Sequence, residues 1–191
     1  FDGRRIYGDL SLYAGWVEKH WTYVYLDGTK GDDANSGATA NDAVATFARA
    51  KELLAKAEYP YIMICGTVTV SDEQVWTLAD VEGARIYRDV TNTKSFLVKV
   101  SGSLTLHDIE IDGGRTFWAS EGEEFAGYEL FPVAGTLTLN DGTVLQNSRT
   151  SSLTSNSAVV YMNGNNAKMV INDGAKITGN YGGSGSAIGG S

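Results

Sequence analysis

The stretches GSLTLHDIEID (102–112), GTLTLNDGTVLQN (135–147) and AKMVINDGAKITGN (167–180) are three copies of one pattern. Their apolar pairs Leu104/Leu106, Leu137/Leu139 and Met169/Ile171 recur at steps of 33 and 32 residues, and an Asp follows two positions after each pair, at Asp108, Asp141 and Asp173. Alternating apolar and polar residues read as a half-buried strand, and the Asp reads as a turn marker. Each copy then supplies a second short strand, carried by Ile109 and Ile111, by Val144 and Leu145, or by Ile177. A third follows a polar loop, as FLVKVSG (96–102), LFPVAG (130–135) or AVVYMNG (158–164). Strands this short cannot close a core alone. If each unit is one coil, its inward residues stack on those of the next, and the backbone ladders run from coil to coil. The expected fold is therefore all-β, a parallel β-helix with three strands per turn. A β-sandwich also uses short strands and Gly-rich turns, but it does not require the same strand, Asp turn and strand at a fixed step.

Composition agrees with a turn-rich β fold: Gly supplies 23 of 191 residues and Pro only 2. With 42% hydrophobic residues the chain can bury one sizeable core. A net charge of -8, from 15 Lys and Arg against 23 Asp and Glu, with no clustered basic patch, excludes nucleic acid and anionic bilayers as natural partners. Apolar runs such as Tyr61 to Cys65 are far too short to span a membrane, so no membrane insertion is expected. Phe1 opens no signal peptide, and the chain is expected to start inside a larger protein. The single cysteine, Cys65, sits in the apolar run YIMIC and is expected to behave as a small hydrophobe.

Upstream of the repeats, NDAVATFARAKELLAKA (41–57) has apolar residues at helical spacing, with Asn41 as expected N-cap and Pro60 ending the segment. An open solenoid exposes the apolar cross-section of its first coil. This capping helix, at about 41–57, is placed to cover it. The domain division is then 1–20 as the remnant of a preceding module or linker and 21–191 as the β-helix, with its C-terminus expected to be truncated because NYGGSGSAIGGS (180–191) opens another coil.

YVYLDGTKGDDANSGATANDAVATFARAKELL (23–54) resembles the opening segment of right-handed parallel β-helix proteins of the pectate-lyase-like superfamily. NDGTVLQN and NDGAKITGN are similar to coil repeats in large surface proteins of Gram-positive gut bacteria, and DLSLYAGW (9–16) is similar to the closing strand of the internalin-type repeat of Listeria and Bacteroides surface proteins. Together these resemblances imply a right-handed solenoid cut from a long, secreted or surface-anchored bacterial protein, hence an extracellular location.

Enzymes of that superfamily need clustered acids on one outer face. In LHDIEID, inward Leu106, Ile109 and Ile111 would leave His107, Glu110 and Asp112 outside, with Arg115 beyond. The next units offer Asn140, Gln146, Asn172 and Lys176 instead, so no catalytic residue is assigned. Asp27, Asp32, Asp33 and Asn35 in DGTKGDDANSG are hard oxygen ligands suited to a structural calcium ion, although the same residues are standard turn formers. No cofactor is otherwise required. The expected recognition surface is the insertion 113–131, with Phe117, Trp118, Phe125 and Tyr128 among the acids Glu121, Glu123 and Glu124. The corresponding stretch of the next unit holds almost only small polar residues, and aromatics ringed by charge outside a stacked core suit an interface. A lid over a bare strand face is the competing structural role. Trp16, Trp21, Tyr23 and Tyr25 are expected to seal the domain entrance.

The leading expectation is a noncatalytic, adhesin-like binding module, monomeric within its larger chain, for a host glycan or a glycoprotein such as mucin or immunoglobulin. A polysaccharide lyase or glycoside hydrolase is the alternative, and a structural stalk module the third reading.

Overall fold

The structure, a computed structural model, describes residues 21–92, 96–117, 130–149, 159–181 and 187–190. Strand β1 (Val24–Asp27) and the helical cap come first. Then β2 (Tyr61–Gly66), β3 (Val68–Val70) and β4 (Glu73–Thr77) make one circuit of three walls. The circuit repeats through β5 (Arg85–Arg88), β6 (Val98–Val100) and β7 (Ser103–His107), and again through β8 (Glu110–Asp112), β9 (Phe131–Val133) and β10 (Thr136–Leu139). Next come β11 (Val144–Gln146), β12 (Val160–Met162) and β13 (Lys168–Ile171), followed by β14 (Lys176–Thr178) and β15 (Ile188–Gly190). Every third strand stacks into the same sheet. The first sheet runs β1-β2-β5-β8-β11-β14, the second β4-β7-β10-β13 and the third β3-β6-β9-β12-β15. The ladders between named strands are parallel, as in β7–β10 and β10–β13, where Leu104, Leu137 and Met169 pair in one row. The parallel β-helix read from the repeat is the fold.

Inward residues form continuous columns. Ile62, Ile86, Ile111 and Leu145 of the first sheet are fully buried, as are Leu104 and Leu137 of the second and Val98, Phe131 and Val160 of the third. Among the described residues β13 has a stacked neighbour on one side only, and Ile171 is 49% exposed while its column mate Leu139 is fully buried.

The Asp corners solve a backbone problem in two ways. Between β7 and β8, Asp108 itself takes the left-handed conformation at φ 45°. In the next two coils an extra glycine, Gly142 (φ 71°) or Gly174 (φ 83°), takes it instead. The positions are also close to the previous coil: a Cβ on Gly142 would lie 1.9 Å from Asp108 Oδ1, and one on Gly174 would lie 1.8 Å from Asp141 Oδ1, so either carboxylate would have to turn away. Each coil's Asp carboxylate thus sits against the next coil's glycine.

The cap is shorter than the sequence pattern suggests. The α-helix α1 covers Phe47–Leu53 and is followed by a 3-10 turn at Leu54–Lys56. Asn41 is not its N-cap and lies in a separate 3-10 turn, Ala40–Asp42. The N-cap is Thr46, whose hydroxyl accepts from the Arg49 N–H. The helix starts late because Val44 is held extended, bridging Leu26 and donating its N–H to Tyr25 O. Phe47, Ala50 and Leu53 are buried, and Phe47 stacks on Trp76 at 4.5 Å between centroids. The helix therefore does cover the core beside the first coil. A Lys51–Asp80 ion pair at 2.6 Å ties it to the β4–β5 loop. Among the described residues no helix is long and apolar enough to cross a membrane.

Candidate functional site on the outer face of the first sheet

Register brings together side chains that are far apart in sequence. Tyr61 pairs with Arg85 and Met63 with Tyr87, Tyr87 pairs with Asp112, and Glu110 and Asp112 pair with Val144 and Gln146. Beyond them stand Lys176 and Thr178. Because Ile62, Ile86, Ile111 and Leu145 alternate with these residues and point inward, the partners stand on the outer side of the sheet, where Met63, Tyr87 and Asp112 are covered.

The end of this face nearest the cap is aromatic. Tyr61 stacks on Tyr59 (5.8 Å) and Tyr23 (6.0 Å), and meets Tyr87 at 5.0 Å. Phe117 lies against Tyr87 at 4.4 Å and turns its edge toward Tyr23 and Tyr61. Tyr59 is 45% exposed. Burial pushes the Tyr23 and Tyr87 phenols above their ordinary value.

Next to the rings the face becomes ionic. Arg85 Nη1 lies 3.2 Å from Glu110 Oε1 and 3.5 Å from the Tyr87 hydroxyl. The Gln146 amide donates to Glu110 Oε1 at 2.5 Å and to Asp112 Oδ2 at 3.3 Å, so one side chain bridges both carboxyls. Asp112 also accepts from Asn147 Nδ2 at 2.8 Å and from the Gly114 N–H at 2.8 Å. Asn147 reaches it from the left-handed conformation, φ 50°. Burial raises the Glu110 carboxyl above the usual carboxylate range, with Arg85 opposing the shift.

The sequence grouping of His107 with these acids does not hold. Asp108 turns the corner between β7 and β8, so His107 belongs to the second sheet while Glu110 and Asp112 belong to the first. There His107 Nε2 lies 2.9 Å from Asp108 Oδ2 and Nδ1 lies 3.1 Å from Asp141 O. It shares a cleft of about 580 Å³ with Asn140, Asn172, Asp141 and Asp173, in which Asn172 Nδ2 donates to Asn140 Oδ1. Arg115 binds through its backbone, donating its N–H to Asn147 O of the next coil.

Of the insertion residues, Phe117 is described and folds back onto the sheet. Trp118, Glu121, Glu123, Glu124, Phe125 and Tyr128 lie outside the described residues, as does Trp16. Trp21 is partly buried beneath Lys56, whose ammonium lies 5.6 Å from the ring centroid.

The four calcium candidates do not converge on one point. Asp27 Oδ1 accepts from the Thr29 and Lys30 N–H groups, Asp32 Oδ1 from Ala34, and Asp33 from the Ala45 and Thr46 N–H groups and the Thr46 hydroxyl, while Asn35 Nδ2 donates to Ala43 O. They act as turn and cap formers. Among the described residues no group of three His, Cys, Asp or Glu stands together to hold a metal. Cys65 is only partly buried, on the wall of a cleft of about 410 Å³ with Asp27, Lys30, Asn41 and Thr91. Burial first, then Asp27 and Asp89, push its thiol up to about 12, which leaves it unreactive as a nucleophile.

The tyrosine cluster is what sequence reasoning missed. Its signal was present in YVYLDG (23–28), YIMICG (61–66) and RIYRD (85–89), where outward residues alternate with inward aliphatics, but these early coils lack the Asp-Gly word that exposed the later repeat. Compared with known proteins, the chain matches no family model, no curated protein and no solved structure.

Proposed function

We propose that this chain is a noncatalytic binding module of a secreted or surface-anchored bacterial protein, recognising a host glycan or glycoprotein of the mucin or immunoglobulin type on the outer face of its first sheet. The observation that carries the reading is Phe117 seated against Tyr87, Tyr61 and Tyr23, directly beside Arg85, Glu110 and Gln146. Rings offer apolar surface to the C–H faces of a sugar, and the neighbouring amide, guanidinium and phenols offer donors and acceptors to its hydroxyls. The test is a glycan array and a panel of secreted host glycoproteins probed with the chain. Replacing Tyr59, which is half-exposed, with Ser should weaken capture while leaving the melting temperature nearly unchanged; capture of nothing by the native chain refutes the proposal.

A second reading, a carbohydrate-active enzyme, is favoured by one observation: Glu110, its carboxyl raised by burial, shares the Gln146 amide with Asp112. Glycoside hydrolysis uses two carboxyls flanking the scissile bond, one of them as the acid. Release of sugar ends by pure protein, lost in Glu110→Gln, would decide for it.

A further inference from the structure

Resting on the binding proposal, we infer that the ligand of this face is an uncharged saccharide chain of neutral hexoses or N-acetylhexosamines, and that sialylated, uronate or sulfated chains are rejected. The charge layout carries the inference. Arg85 is a cation in the middle of the face, and it is matched by Glu110 at 3.2 Å. Asp112 is 3% exposed, and the donors that hold it, Gly114 N–H and the Gln146 and Asn147 amides, are all neutral. None of these three donors carries a charge. An anionic substituent laid against Arg85 and Gln146 would meet the part-exposed Glu110 carboxyl, with Asp112 buried behind it, and a guanidinium already committed to Glu110. Lys176 stands two strands from Glu110, roughly 9–10 Å at the usual strand spacing and so beyond about one Debye length in physiological salt.

The apolar and polar halves of the face suit the uncharged chain in a complementary way. Stacked rings need no counter-charge, and the half-exposed Tyr59 adds a neutral phenol. The first sheet has six strands, so the strip is about 24 Å long, long enough for several sugars in an extended chain.

The experiment measures binding of the full chain to three probes at physiological salt: native gastric mucin, the same mucin after enzymatic removal of sialic acid and sulfate, and polygalacturonate. The stripped mucin should bind at least about tenfold more tightly than the native one, and polygalacturonate should not be retained. Glu110→Gln removes a negative charge and releases Arg85 from its match, so it should narrow the preference several-fold and allow measurable polygalacturonate binding. Equal or stronger binding of the charged probes by the native chain overturns this inference and leaves the binding proposal standing. An unchanged preference in Glu110→Gln overturns the role given to the Arg85–Glu110 match. Binding of no saccharide probe, including an array of neutral glycans, overturns the proposal and the inference together.

Discussion

Leu139 lies in a column of the second sheet, Trp76–Leu106–Leu139–Ile171, and the four positions differ sharply in cover. Trp76, Leu106 and Leu139 are at most 1% exposed, whereas Ile171 is 49% exposed. Changing Leu139 to Ala deletes three carbons, about 2.4 kcal/mol at ~0.8 per buried methylene. Covered above and below, the site cannot collapse freely, so a cavity contribution brings the expected loss to about 3–4 kcal/mol. Ile171→Ala loses roughly half the transfer energy and leaves no closed cavity, so it should cost about 1 kcal/mol. Thr138→Ala, on the outer side of the same strand, should stay within about 0.5 kcal/mol. Urea unfolding followed both by tryptophan fluorescence and by far-UV circular dichroism measures this series. Divergence of the two probes would also reveal coils melting separately, as solenoids can. Equal losses at Leu139 and Ile171, or a large loss at Thr138, would refute the assignment of inward columns and of a one-sided last coil.

Three further outcomes are expected. Glu110 binds its proton more tightly folded than unfolded, so stability should fall as pH rises from the ordinary glutamate range through its raised value; urea midpoints between pH 4 and 7 should show this slope flattened in Glu110→Gln. Cys65, its thiol pushed up to about 12, should resist alkylation at pH 8 until denaturant is added, and labelling at the rate of an exposed thiol would contradict its setting. Millimolar calcium should leave the melting temperature unchanged, because the Asp27, Asp32 and Asp33 side chains are occupied with backbone amides, whereas Asp33→Ala should cost about 1 kcal/mol through loss of the bonds that hold Thr46 at the helix start; a clear upward shift with calcium would reinstate that loop as a metal site.

The coil architecture was legible because its chemistry repeats. Leu104, Leu137 and Met169 occupy one physical position three times, and position-specific demands write themselves as a period. What could not be read was whatever depended on an exception. Asn41 looked like an N-cap, yet a single bridge from Val44 to Leu26 delays the helix to Phe47. His107 looked like a neighbour of Glu110, yet one left-handed residue between them separates them onto two walls. The aromatic cluster needed register over the whole first sheet. Tyr23, Tyr61, Tyr87 and Phe117 come from four separate passes of the chain, and no local window contains more than one pass.

The corner contacts have a consequence for how such a molecule can grow. Asp108 rests against Gly142, and Asp141 rests against Gly174, so the fit is always between one coil and its successor. A tandem duplication of residues 135–166 would offer Asp141 to a copied Gly142 in the same way that it now meets Gly174, and every corner would remain filled. A duplication that is not a whole number of coils would set a Cβ or a misplaced turn against a carboxylate. Recombination that lengthens the rod is thus tolerated only in whole words, and the outer face can diversify from copy to copy while the corners keep the copies in phase.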